Sequence, residues 1–452
     1  MDNYIRKVDV SGLFGNRKIS IDFDEHVNCI YGVNGSGKTT LINLIVACLS
    51  CDVMKLKSVE YKTVKISLSE SGKKRAKIFL VVEKTNDGRI MYECEREGIK
   101  TFLDETEDEF PLLVEQGKKE VVSAIKKYIT LDYVPLTRMQ EADIYDLNRQ
   151  DEYMLMRSLR AHRVGNDDIS YILDPSKRML VNLEKEFKEL HSKVQNKSNQ
   201  NLEELRGEIV SKVLINKELV EGALFARQDM FDVSTESMSH EDVENISKKF
   251  TSARININRK SIVEHFSLMD GLIKELDSLK IRMAKNDDEN DDEIQHDFSS
   301  KFFQVLSLMP LYNKVSEIID EINKTEEIKE LNFSVFTNIT RVINDFLINK
   351  SFCFTDLGGF SIKCGERDIS LEDLSSGEKH MIALLGRVAI SENEGSVFVA
   401  DEPELSLHLE WQRKIIPSIT SLSPNMQIIV ATHSPAIIPN GAKKIDLMDC
   451  IS

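Results

Sequence analysis

No stretch of this sequence approaches the ~18 uncharged apolar residues that a membrane-spanning helix needs, although 41% of its 452 residues are hydrophobic. Its start, Met1 to Asp9, has neither the basic opening nor the apolar core of a secretory signal. The expectation is a cytoplasmic chain with no membrane attachment. Basic charge is also scarce: 59 Lys and Arg against 75 Asp and Glu leave a formal charge of -16. That balance argues against coating nucleic acid by bulk electrostatics, which needs a cationic surplus. Lys73-Lys74-Arg75-Ala76-Lys77 and Arg157 to Arg163 remain as local candidates for DNA contact, against their ordinary reading as solvated turns or helix faces. The 7 cysteines are odd in number and scattered, as in a reduced compartment rather than a disulfide framework. Cys48 and Cys51 form a lone CxxC without the second pair that a zinc site usually has, so they read as two small buried residues one helical turn apart.

What the chain does have is two kinds of periodicity. In the first 110 positions Ile19, Ile21 and Phe23 alternate, and Val27 to Tyr31 is nearly continuous apolar sequence running into a glycine-rich turn, as in a buried strand. Val64 to Leu68, Ile78 to Glu83 and Arg89 to Glu95 read as antiparallel strands, the last two joined by a hairpin at Asn86-Asp87-Gly88. From about Asp174 the period becomes helical, with Leu180, Leu183, Phe187, Leu190 and Val194 on one stripe and Ile262, Phe266, Met269, Ile273 and Leu276 on another. These stripes last a few heptads, which predicts a short hairpin or bundle rather than a long rod. Asn286 to Glu293 reads as an exposed acidic loop without the glycine and ligand spacing of a calcium site. Strand character returns at Ser351 to Thr355 and Phe360 to Ile362, and Ser396 to Ala400 and Gln427 to Ala431 read as central parallel strands.

Gly32-Val33-Asn34-Gly35-Ser36-Gly37-Lys38-Thr39 matches G-x-x-x-x-G-K-[ST] between an expected strand and an expected helix, the context the pattern requires. Its glycines let backbone N–H groups close around phosphates, and a helix N-terminus adds its dipole. Lys38 would reach the β and γ phosphates, and the Thr39 hydroxyl would ligate Mg²⁺. Asn34, Gly35, Ser36, Gly37, Lys38, Thr39 and Thr40 are therefore the candidate nucleotide-holding residues. Far downstream, Val397 to Ala400 ends in Asp401-Glu402, two acids at a strand tip, where α/β sheets hold ligands. Asp401 would serve the magnesium and Glu402 would polarise the attacking water. Acids at a helix start would look the same in isolation, but the phosphate loop weakens that reading.

Leu374-Ser375-Ser376-Gly377-Glu378-Lys379 resembles the ABC signature in the form LSSGE. It is followed by Asp401-Glu402-Pro403-Glu404, His408, and Ala431-Thr432-His433-Ser434-Pro435. Four motifs in this order make the sequence similar to ABC-type ATPases of the RecF, SMC and overcoming-lysogenisation-defect group. It most resembles the ATPase subunits of anti-phage systems such as PARIS, Septu and retron-associated modules. The resemblance implies an α/β ATPase head, a mixed phosphate-loop sheet with an antiparallel β lobe, interrupted by an inserted α-helical or coiled-coil arm. The head would be residues 1–170 and 351–452 and the arm 171–350.

The resemblance also implies ATP and Mg²⁺ as ligands and two heads joined face to face, with ATP between the phosphate loop of one and the signature of the other. Ser375 and Gly377 would then contact the γ-phosphate, although a signature serine also serves as a plain N-cap. His433 would contact the γ-phosphate and orient water. A glutamine sensing Mg²⁺ and nucleotide is expected where the lobe rejoins the core; Gln140 is the candidate, with Arg138, in a segment resembling a yiPTxR element, as the second. Several relatives of this kind continue into a nuclease, whereas this sequence ends shortly after His433. The expectation is a regulatory ATPase, a homodimer or higher oligomer, that controls a separate effector protein and responds to a phage trigger. The alternative is a DNA-clamping ATPase of repair.

Overall fold

The computed structural model describes residues 3–15, 17–73, 75–85, 87–103, 111–135, 175–213, 246, 248–255, 258–285, 291–391 and 396–452. Gln140, Arg138, Arg157 to Arg163, Lys74, Asn86 and residues 286–290 of the acidic run lie outside these. By packing the chain divides into two units, Met1–His191 with Val335–Ser452, and Ser192–Ser334.

The first unit is built on two sheets. Strands β1 (Asn3–Leu13), β2 (Arg17–Asp22), β4 (Thr63–Glu70), β5 (Lys77–Lys84), β6 (Ile90–Cys94) and β7 (Ile99–Leu103) form an antiparallel sheet in the order β2-β1-β4-β5-β6-β7. The turn between β5 and β6 closes as its residues dictate: Gly88 has φ +83, and Thr85 N–H donates to Arg89 O at 2.9 Å. Strands β3 (Val27–Tyr31), β8 (Thr130–Pro135), β12 (Ser396–Asp401), β13 (Gln427–Ala431) and β14 (Lys443–Asp446) form a parallel sheet ordered β14-β3-β13-β12-β8. All five residues of β13 are buried, because a parallel sheet is covered on both faces. The long excursion between β8 and β12 therefore returns to pair with the strand it left, Val399 opposite Tyr133.

One core joins both sheets to helix α1 (Lys38–Ser50): Ile5, Val8, Leu41, Ile45, Val399 and Ile429 are all buried within it. Polar ties fix the register of the layers. The Gln427 side chain accepts from Ile5 N–H (2.9 Å) and donates to Ile5 O and Asp24 O (both 2.8 Å), so a buried amide is satisfied by the neighbouring sheet. Cys48 is buried inside α1 as expected, but Cys51 has left the helix: it is the C-cap, with φ +54. Helices α2 (Val53–Ser58) and α3 (Pro111–Lys126) follow in the lobe. A small sheet, β9 (Ser351–Phe354), β10 (Phe360–Cys364) and β11 (Arg367–Ile369), packs beside Phe187, whose ring meets Phe354 edge-on at 4.9 Å. Helices α7 (Ser376–Ile390) and α8 (Leu409–Leu422) pack on each other.

Helices α4 (Pro175–Val213), α5 (Arg259–Lys285) and α6 (Asp291–Asn344) carry the inserted helical sequence, with 39, 27 and 54 residues. Two of these are far longer than the short hairpin expected from the apolar stripes. The stripes read from the sequence are only part of the buried faces: α4 carries on at Leu202, Leu205 and Ile209, and α6 buries Val305, Ile318 and Ile322, while the Glu, Lys and Gln between them are strong helix formers. Helix α6 also runs through Pro310, and it begins at Asp291, so the end of the acidic run is helical rather than loop. Within Ser192–Ser334 two apolar clusters form, one around Leu205, Phe250, Phe266 and Ile322, the other around Met269, Leu276 and Val305. No helix among the described residues is long and apolar enough to cross a membrane.

Candidate functional site

Lys38, Glu402 and His433 meet where β3, β12 and β13 end side by side. The turn after β3 carries Asn34 and Gly35, both exposed, and the buried Ser36. Gly35 and Gly37 have φ of +78 and +98, conformations in which a side chain would be strained. Gly37 is the N-cap of α1 and offers no side-chain cap, which leaves the first N–H groups of the helix turned toward the loop. Thr39 is exposed and Thr40 half-buried in the first turn. Phe14, which the motifs did not point to, lies across this turn. A Cβ on Gly37 would stand 3.0 Å from its ring, and the residue itself is 49% exposed with φ +50. The signal that could have found it is a large aromatic beside glycine in the β1–β2 turn.

Lys38 is buried, and its ammonium is held by Gly32 O (2.9 Å), Val33 O (3.3 Å) and His433 Nδ1 (3.4 Å). An ammonium can only donate, so Nδ1 accepts and the imidazole proton sits on Nε2. That nitrogen points at Glu402 Oε1, 3.3 Å away. Lys38, His433 and Glu402 thus form one chain of contacts across three strand ends. Burial holds the Lys38 pKa below its ordinary value, opposed by the carboxylates of Glu402, Asp401 and Glu404. Glu402 itself has φ +50, and its N–H donates to Ala431 O at 2.8 Å, which ties the two acidic and histidine loops together. A left-handed non-glycine residue costs of order 1–3 kcal/mol and persists where its surroundings dictate it.

Asp401 is 1% exposed and neither carboxylate oxygen has a hydrogen-bond partner of good geometry. Burial raises its pKa; the nearby Thr39 hydroxyl lowers it, Glu402 and Glu404 raise it further, and Lys38 opposes them. A buried carboxylate beside a threonine hydroxyl is an oxygen donor set that suits a hard divalent cation such as Mg²⁺. Glu404 is different: its Oε1 accepts from Thr432 Oγ1, His433 N and Ser434 N.

Ser375 and Gly377 stand at the start of α7. Ser375 is its N-cap, with a reciprocal capping box: its hydroxyl accepts from Glu378 N (3.2 Å) and Glu378 Oε2 accepts from Ser375 N (2.7 Å). Lys350 donates to the same carboxylate oxygen at 2.9 Å. Burial raises the Glu378 pKa, but these bonds with Lys350 and Ser375 outweigh it and hold the group below its usual value. Gly377 lies against the backbone of Ser406, where an added Cβ would stand 2.6 Å from the carbonyl oxygen. His408 is the N-cap of α8. Among the described residues, the contacts of Ser375 and Gly377 run to these neighbours and not to the phosphate loop.

The chain is similar over part of its length to several known proteins. It is 34% identical over 82 residues to the Retron Vc95 probable ATPase of Vibrio cholerae serotype O1 biovar El Tor, covering 16% of each chain. It is 29% identical over 134 residues to the Septu protein PtuA of Bacillus thuringiensis, covering 26% of this chain and 33% of that one. It is 35% identical over 80 residues to the Retron Ec83 probable ATPase of Escherichia coli, covering 15% of each. The chain thus spans a third or less of the length of these relatives. Among solved structures, the Smc head domain with an extended coiled coil of Pyrococcus furiosus aligns at 16% identity and TM-score 0.42, over 96% of this chain and 91% of that one. The Smc head of Pyrococcus yayanosii aligns at 18% identity and TM-score 0.41, over 96% and 93%. The model of the AAA ATPase domain matches residues 4–438, and the chain belongs to that family.

Proposed function

We propose that the chain binds ATP with Mg²⁺ and hydrolyses it to ADP and phosphate. The observation that carries the reading is the Lys38–His433–Glu402 chain beside the buried Asp401. The glycine turn and the N-terminus of α1 cradle the phosphates, and Lys38 exchanges its hold on Gly32 O and Val33 O for phosphate oxygens. Phe14 offers its half-exposed ring to the base. Thr39 and Asp401 hold Mg²⁺, which supplies charge neutralisation to the γ-phosphate when bound. Glu402 accepts the proton of the attacking water, and His433, with its Nε2 proton facing Glu402, keeps that carboxylate aimed and contacts the γ-phosphate. Gln140 is the further residue proposed for nucleotide and Mg²⁺ sensing.

Ser375 and Gly377 open helix α7, and in a composite site a second copy would present this helix start to the γ-phosphate. The partial matches to retron ATPases and a Septu protein support a role in anti-phage defence, in which such an assembly would control a separate effector. A second reading, DNA clamping, rests on the basic run Lys73 to Lys77, in which Lys73 is already paired with Glu70. Stimulation of phosphate release by duplex DNA, lost on neutralising Lys73 and Lys77, would select it. The primary test is nucleotide binding and phosphate release by the wild type and by Lys38→Ala. Wild-type turnover with loss of binding in the variant is expected; unaltered ATP affinity without the Lys38 ammonium would overturn the assignment.

A further inference from the structure

The DEPE segment contains two acids that the hydrolysis scheme uses and one, Glu404, that it does not. Glu404 is 8% exposed, and a single oxygen, Oε1, takes three donors: Thr432 Oγ1 at 2.5 Å, His433 N at 3.0 Å and Ser434 N at 3.1 Å. All three come from the loop after β13, so the carboxylate caps the turn on which the imidazole is mounted. A second brace lies on the far side of this turn: Ser434 Oγ donates to Gln412 Oε1 at 2.8 Å, and Gln412 Nε2 donates to Leu407 O at 3.0 Å. The histidine loop is thereby fastened at two points to the loop that carries Glu402, one of them a charged acceptor, the stronger kind of hydrogen bond.

We propose that Glu404 is a positioning residue: by fixing the backbone of His433 it sets the angle at which the imidazole bridges Lys38 and Glu402. The ring makes long contacts on both sides, 3.4 Å to Lys38 and 3.3 Å to Glu402, so a small rotation of its backbone breaks one of them. The kinetic consequence rests on the proposed ATPase reading; the placement of the ring does not.

The test uses the full-length protein with ¹⁵N-histidine labelling, the His433 ring signal being assigned by its loss in His433→Asn. Glu404→Ala is expected to shift or broaden that signal and to lower kcat about 10- to 100-fold, the usual range for partners that orient a reacting group. ATP affinity should stay within about threefold. Glu404→Gln keeps an acceptor oxygen of the same reach and should retain both the signal and most of kcat. Thr432→Val removes one donor, should act in the same direction more weakly, and serves if Glu404→Ala does not fold. An unchanged His433 signal in Glu404→Ala, or in Thr432→Val where it stands in, overturns the proposal. So does a parallel loss of ATP affinity and kcat, or a Glu404→Gln variant as slow as Glu404→Ala. If the wild type releases no phosphate, the ATPase reading fails and the ring signal alone decides the role of Glu404.

Discussion

Gly377→Ala sets two effects of opposite sign against each other. Gly377 lies in the first turn of α7, in a conformation open to any residue, and glycine in a helix interior costs about 1 kcal/mol relative to alanine. On propensity alone the substitution would be neutral or stabilising. Its Cβ, however, would stand 2.6 Å from Ser406 O, a backbone atom that cannot rotate away. Ser406 itself is strained, with φ +67, and its neighbours are tied down: Leu405 N donates to Glu402 O and Leu407 N to Glu404 O, each at 3.0 Å. Overpacking of this kind costs about 1–3 kcal/mol. Because a first-turn residue realises only part of the propensity gain, a net loss of about 1–2 kcal/mol is expected, or roughly 1–2 °C in Tm for a chain of 452 residues. Scanning calorimetry without nucleotide measures it, and Gly207→Ala in α4, where an added Cβ meets nothing within 4 Å, isolates the propensity effect. The same crowding displaces the loop of Glu402, so phosphate release should fall along with Tm. A Gly377→Ala protein as stable as the wild type would mean that the Ser406 carbonyl yields to the added Cβ without cost.

Asp401→Asn should stabilise the nucleotide-free protein by about 1–3 kcal/mol while abolishing Mg²⁺-dependent turnover, since it removes a buried charge whose burial cost Thr39 and Lys38 do not offset. The raised pKa of Asp401 gives the sign: its favourable contribution exists below the unfolded pKa and is lost as pH rises through the folded one. A drop in Tm for the variant without Mg²⁺ would contradict this. His380, 1% exposed on α7, has its pKa lowered by burial from 6.5 to about 4, against a hydrogen bond to the Leu405 backbone. Its contribution to stability is present above pH 6.5 and lost as pH falls toward about 4, up to roughly 3 kcal/mol. Urea titrations should show this slope in the wild type and a flatter one in His380→Asn; equal slopes would rule it out.

The parts of the site that were legible in the sequence are contiguous. Lys38 and Thr39 follow a glycine pattern, and Asp401 and Glu402 follow an apolar strand, so local spacing alone brings each to a strand end. Glu404 was equally visible in the motif, but its partners lie at Thr432, His433 and Ser434, and which of three nearby acids accepts their protons depends on loop geometry that spacing does not encode. Phe14 reaches Gly37 only because β1 and β2 turn over the phosphate loop. The helical arm shows the complementary limit: the stripes read from the sequence locate α4 and α5, whereas the buried face of α6 past Pro310, at Ile318, Ile322, Phe336, Ile339 and Ile343, is broken by the uneven spacing between Ile322 and Phe336 and does not read as one stripe. Ser375 was readable both as a phosphate ligand and as an N-cap, and in this chain its hydroxyl is engaged as the cap.

The central claim is that Glu402 acts on water after a complete nucleotide cradle has formed. Native mass spectrometry of purified Glu402→Gln protein with ATP and Mg²⁺ tests it most directly, because the substitution removes the base and leaves Lys38, Asp401 and the glycine turn in place. The account predicts a dimer retaining two unhydrolysed ATP molecules, while the wild type under the same conditions turns over to ADP. A Glu402→Gln protein that hydrolyses ATP at the wild-type rate, or that stays monomeric with ATP bound, would contradict it.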